Sequence, residues 1–223
     1  MRNNLQQVLN RSSNEQVQLM RNELQQILPD SPNEQGQVMR TDLQQSLNRS
    51  HINPSALSTF QRLLLTTDGT LTDILEAYLL EEIQVVKLSE ELVSITQDIL
   101  PMQLNKGTEV IARNVLLRGR ISRKNFVYAE SIIVPERLDE KFREELLKTK
   151  TPLSKIWLEQ RTETFKEILD SGKEPANGLA DYFNIGPDDN MLFRTYSVFS
   201  NRKSSMMITE KFPESYFING KDL

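Results

Sequence analysis

An α+β fold, an antiparallel sheet with helices over one face, is what three features of this chain predict. Beyond residue 53, several short runs alternate apolar and polar side chains, the period of a half-buried strand. The clearest of them come in pairs joined by brief polar turns, "RGRISRK" and "NRK", and strands joined so closely pair antiparallel. Between them lie segments with helical spacing, and a chain that mixes hairpins with separate helices buries both by laying helices on one sheet face.

The elements follow in order. "NPSALSTFQRLLLT" offers an Asn or Ser cap and then Leu57, Phe60, Leu63 and Leu64 at helical spacing. Asp68-Gly69 turns the chain, and "LTDILEAYLL" gives a second helix with Leu71, Ile74, Leu75, Tyr78 and Leu79 inward. "IQVVKLS" reads as a short strand, and "TEVIARNVLLRG" with "NFVYAESIIVP" as a hairpin. "PERLDEKFREELLKTK" is an amphipathic helix with Pro135 at its start, followed by a short helix in "TPLSKIWLEQ". "RTETFKEILDSG" carries both signals: Thr162, Thr164 and Phe165 favour strand, Lys166 to Asp170 helix. "NGLADYFN" is a short helix, and "MLFRTYSVFS" with "SSMMITEKFP" closes the chain as a second hairpin. This order predicts a sheet of about five or six strands.

Residues 1–52 are different. "MRNNLQQVLN", "MRNELQQILP" and "MRTDLQQSLN" open three copies of a 19-residue repeat led by Met1, Met20 and Met39. Short amphipathic helices here would offer a protein partner an apolar face. The low apolar and high Gln/Asn content favours a mostly disordered extension. The globular domain is therefore assigned to residues 53–223.

Composition narrows the chemistry. The 223 residues carry a net charge of −4, no cysteine and one histidine, His51, in a polar stretch. Thiolate chemistry and Cys-based metal sites are excluded, and a Ser–His–Asp triad would have to use that one imidazole. Catalysis then falls to Asp, Glu, Arg, Lys, Tyr, Ser or Thr. The acidic balance argues against nucleic acid as a partner, despite Arg118, Arg120, Arg123 and Lys124 in one turn. No run reaches the ~20 apolar residues of a membrane span, and the N-terminus lacks the pattern of a secretory signal. The expected compartment is the cytoplasm.

Two charges stand on faces that should be buried. In "EVIARNVLL" Ile111, Arg113, Val115 and Leu117 share one face, and in "SSMMITEKFP" Met206, Ile208 and Glu210 share another. Burying a carboxylate alone is costly. A nearby Arg, or a ligand held by that Arg, would relieve it. One reading is a buried ion pair that fixes register; the other is a site for a small carboxylate, which the planar guanidinium fork matches.

"ARNVLL", "VYAESIIVP", "TPLSKIWL" and "ITEKFP", in that order over roughly residues 56–215, resemble the chorismate pyruvate-lyase family, particularly its cyanobacterial and plastid branch. The resemblance implies a six-stranded antiparallel sheet under helical flaps, which favours strand for "RTETFKEIL". It also implies an enzyme that converts chorismate to 4-hydroxybenzoate and pyruvate for quinone or related aromatic biosynthesis, with no metal or organic cofactor. By the same resemblance Arg113 binds the ring carboxylate and the backbone N–H of Leu153 shares that carboxylate. Glu210 stands at the hydroxyl end of the ring, and Thr70 contacts the ligand from the flap. Ser131 replaces a second Arg of some members, and Arg194 is a candidate to supply that charge to the substrate's other carboxylate. The alternative is a carboxylate sensor of the same fold without catalysis.

Overall fold

The computed structural model describes residues 52–148, 165–200 and 202–218. The repeats, His51 and the expected helix with Leu153, Ser154 and Trp157 lie outside the described residues.

Six strands form one sheet: β1 (Ile83–Ser94), β2 (Glu109–Gly119), β3 (Asn125–Ile133), β4 (Phe165–Pro175), β5 (Asn190–Ser200) and β6 (Lys203–Pro213). Their order is β1-β2-β3-β6-β5-β4, and every neighbouring pair is antiparallel. Among the described residues four α-helices accompany the sheet: α1 (Thr59–Thr66), α2 (Leu71–Leu79), α3 (Glu140–Lys148) and α4 (Ala180–Phe183). The ambiguous segment before residue 175 is strand β4. β1 runs longer than "IQVVKLS" suggested. Its outer half, Glu91 to Ser94, is exposed and polar enough to hide the alternation, yet it pairs in register with β2.

Local chemistry sets the helix ends. Asn53 caps a 3-10 turn at Pro54–Ala56, and Ser58 caps α1 through a capping box with Gln61. This start fixes the phase of α1, so Gln61, Leu64 and Leu65 are buried and Leu63 is 44% exposed. Of the apolar residues at helical spacing, Leu63 therefore turns outward while Leu64 is buried. Buried Gln61 is satisfied: its amide donates to the carbonyls of Glu214 and Tyr216 at 2.7 and 2.8 Å, joining α1 to the chain beyond β6. α2 ends at Leu80, whose φ of 55° is left-handed.

The β2–β3 turn is pinned rather than loose. The Glu81 carboxylate accepts from the backbone N–H of Ile121 and Ser122 at 2.8 and 2.9 Å. A Cβ on Gly119 would crowd that carboxylate and the Ser122 hydroxyl, so a larger residue here would displace the contacts that pin the turn. Three of the turn's four basic residues face partners: Arg120 pairs with Glu82, Arg118 donates to Asn125, and Lys124 lies 4.0 Å over the Tyr216 ring.

The two sheet faces bury different clusters. On one face, Ile111, Ile133, Tyr196, Val198, Met206 and Ile208 pack with Phe142 of α3. On the other, Val110 and Val134 pack with Met102 and Leu104 from the β1–β2 connection. Tyr182 of α4 is 41% exposed. Among the described residues no helix is long and apolar enough to cross a membrane.

Candidate active site

The face that carries the first cluster also carries the charges. Cross-strand register sets Glu90, Arg113, Ser131, Ile208, Tyr196 and Ile168 in one row across all six strands. One step along lie Ala129, Glu210, Arg194 and Ser171. Alternation forces these side chains onto the same side of the sheet. Above them the α1–α2 loop and the start of α2 contribute Thr70, Leu71 and Thr72, and the space between is a cavity of about 70 Å³. Arg113, Ser131, Lys166, Tyr196 and Glu210 supply its polar wall, and Val115, Leu117, Ala129 and Ile208 much of the apolar wall.

Arg113 is 2% exposed. Its Nε lies 3.3 Å from the Glu90 carboxylate, but the alignment falls short of a hydrogen bond. Arg113 Nε and Nη1 have no hydrogen-bond partner among the described residues. Glu90 is also held at 2.6 Å by Lys87. Burial pulls the Arg113 guanidinium below its ordinary range, and Glu90 offsets part of this. Unsatisfied buried donors cost about 1–3 kcal/mol each, more when charged. A guanidinium kept this way on a cavity wall is set to receive an anion.

Glu210 does not pair with Arg113. Its partner is directly opposite on β5: Arg194 Nε donates to Glu210 Oε2 at 2.7 Å, and Tyr196 Oη donates to Oε1 at 3.0 Å. Arg194 also donates to the Thr67 carbonyl at 2.7 Å, tying the sheet to the α1–α2 loop. Burial is the largest single influence on Arg194 and lowers it, but the charge and hydrogen bond of Glu210, with Tyr196 and Asp68, together outweigh it and the net shift is upward. Tyr196 is pushed well up, by burial first and then by Glu210. It is therefore a neutral donor at ordinary pH. The misplaced carboxylate is thus accounted for by a buried pair that also aims it at the cavity.

The site residues expected from sequence separate as follows. Arg113, Glu210 and Thr70 all line the cavity. Thr70 stands at the N-cap of α2, where its side chain makes no capping hydrogen bond. Arg194 is buried behind Glu210 and is not part of the wall, so its geometry is that of a support for the carboxylate. Leu153 lies outside the described residues. Sequence reasoning missed Tyr196 and Lys166. Tyr196 follows Arg194 at strand spacing. Lys166 stood in the segment with mixed helix and strand signals; once that segment is a strand, Lys166 and Ile168 share the inward face.

Residues 65–217 match the sequence profile of chorismate pyruvate-lyases of the Rv2949c-like type. The chain belongs to this family. A chorismate pyruvate-lyase of Mycobacterium leprae is 32% identical over 158 residues, which cover 70% of this chain and 75% of that protein. One from Mycobacterium tuberculosis is 29% identical over 164 residues, 70% and 80% of the two chains. Among solved structures, the effector domain of PhnF from Mycobacterium smegmatis superposes with a TM-score of 0.51 at 10% identity. It covers 67% of this chain and 91% of that domain. At that identity the likeness shows a shared fold.

Proposed function

We propose that this chorismate pyruvate-lyase family member eliminates pyruvate from chorismate and leaves 4-hydroxybenzoate, a precursor for quinone or related aromatic biosynthesis. The observation that carries the reading is buried Arg113, two of whose nitrogens have no hydrogen-bond partner among the described residues, lining the same cavity as a carboxylate fixed by Arg194 and Tyr196. Arg113 takes the ring carboxylate through its planar fork. Glu210 lies two strands away, about 10 Å between backbones at ordinary strand spacing. There it accepts from the ring hydroxyl, and the apolar wall holds the ring between them. Leu153 is the proposed second, backbone donor to the carboxylate.

The reaction rearranges only the substrate's own atoms. The ring carbon that bears the hydroxyl gives up its hydrogen as a proton. The electron pair left behind completes the aromatic ring as the ether C–O bond breaks. Enolpyruvate departs and is protonated at its methylene carbon to become pyruvate. Aromatisation supplies the driving force, so positioning and fixed electrostatics are the protein's main contribution. Glu210, held rigidly by two donors, orients the hydroxyl and assists proton movement.

The fold shared with an effector domain supports a second reading, a carboxylate sensor without turnover. Incubation of the purified protein with chorismate separates the two. The lyase reading expects equal amounts of 4-hydroxybenzoate and pyruvate. A sensor would bind 4-hydroxybenzoate and release neither product.

A further inference from the structure

We propose that Lys166 is the residue that receives the enolpyruvyl carboxylate of the substrate, so that it distinguishes chorismate from the product. This rests on the lyase reading above. Chorismate is a dianion. Its enolpyruvyl ether is attached to the ring carbon next to the one that bears the hydroxyl, so its second carboxylate hangs beside the hydroxyl end of the ring. A site for it needs a cation near Glu210, on the side away from Arg113.

Lys166 lines the cavity on that side; its backbone is level with Met206, two inward positions along β6 from Glu210, and its ammonium lies near the Tyr196 ring. Across the sheet the cavity-lining charges run Arg113 on β2, Glu210 on β6 and Lys166 on β4, with two strand steps between each. Lys166 faces inward beside Val198, and its Nζ lies 5.5 Å from the centre of the Tyr196 ring, the same Tyr196 that donates to Glu210. Nζ also donates to the Gly69 carbonyl at 2.9 Å, which fixes the ammonium under the α1–α2 loop rather than out in solvent. An ammonium carries three N–H donors, so it can hold that carbonyl and a carboxylate together. Arg194, the earlier candidate, stands behind Glu210 and holds it together with the Thr67 carbonyl. Burial pulls the Lys166 ammonium below its ordinary range. A carboxylate delivered to it would reverse that cost, which makes the contact productive for binding.

The product offers the test because 4-hydroxybenzoate lacks the second carboxylate. KM and kcat for chorismate, and Kd for 4-hydroxybenzoate by calorimetry, are measured on the full chain for wild type, Lys166→Met, Lys166→Arg and Arg113→Ala. Lys166→Met is expected to raise the chorismate KM about 10- to 100-fold, the scale of one charge-assisted hydrogen bond. It should leave the 4-hydroxybenzoate Kd within about threefold, which also shows that the variant is folded. Lys166→Arg should recover most of the loss, and Arg113→Ala should weaken both ligands. An unchanged chorismate KM in Lys166→Met overturns the proposal. So does an equal loss of both ligands, which would make Lys166 only a fastener of the Gly69 loop. If wild type binds chorismate without turnover, the lyase reading fails separately, and the ratio of the two Kd values still decides the role of Lys166. If wild type binds neither ligand, both proposals fall.

Discussion

Arg194→Met tests why a carboxylate can be buried in this sheet. Arg194 is 1% exposed and Glu210 6%. The substitution removes the 2.7 Å contact to Glu210 and the donor to the Thr67 carbonyl, and keeps comparable apolar bulk. Among the described residues Glu210 would retain the Tyr196 hydroxyl alone as a hydrogen-bond donor. Breaking a buried pair from one side costs about 3–5 kcal/mol, because the surviving charge stays buried. The half-buried Thr67 carbonyl adds little, since water can replace its donor. For a domain of this size the expected fall in Tm at pH 7 is roughly 10 °C. Arg194→Met/Glu210→Gln removes both charges and should regain about 2–3 kcal/mol relative to the sum of the single variants. Urea unfolding followed by far-UV circular dichroism measures all four proteins. If Arg194→Met stays within about 1 kcal/mol of wild type, or the two single losses simply add, Arg194 does not hold Glu210 and the explanation of the buried carboxylate is wrong.

Two further outcomes follow from the same geometry. Gln61→Leu should cost about 2–3 kcal/mol in chemical denaturation, because it strips the Glu214 and Tyr216 carbonyls of their shared donor. On the pH axis, kcat/KM for chorismate should begin to fall below the ordinary lysine range as Lys166 loses its proton, and Lys166→Arg should flatten that alkaline limb. Burial lowers Lys166; Glu210, Asp68 and Asp73 work against that, Arg194 reinforces it, and Tyr196 faces it as a neutral donor. Stability moves the opposite way. Between the lowered folded value and the ordinary one the unfolded chain holds more protons, so Lys166's contribution to stability rises with pH there.

Much of this was legible in the sequence, for identifiable reasons. Period-two alternation in β2 and β6 was clean, and it placed Arg113 and Glu210 on the inward face without any structure. It could not reveal their partners, because register across the sheet depends on strand order: β6 inserts between β3 and β5, which sets Glu210 opposite Arg194 and not beside Arg113. Lys166 was hidden because "TFKEILD" satisfies both periods, and a register shift between Ile168 and Asp170 breaks the alternation further. The phase of α1 depended on which of two polar residues caps it; Ser58 with Gln61 decided it and turned Leu63 outward. The outer half of β1 escaped notice because both its faces are exposed there.

In the proposed reaction Arg113 and Glu210 hold the two ends of chorismate for elimination. The most direct measurement is chromatography of the purified protein with chorismate, beside Arg113→Ala and Glu210→Gln. Wild type is expected to form 4-hydroxybenzoate and pyruvate in equal amounts, with both products strongly reduced in each variant. Wild type that forms no more product than a protein-free blank, or variants that turn over as fast as wild type, would contradict this reading.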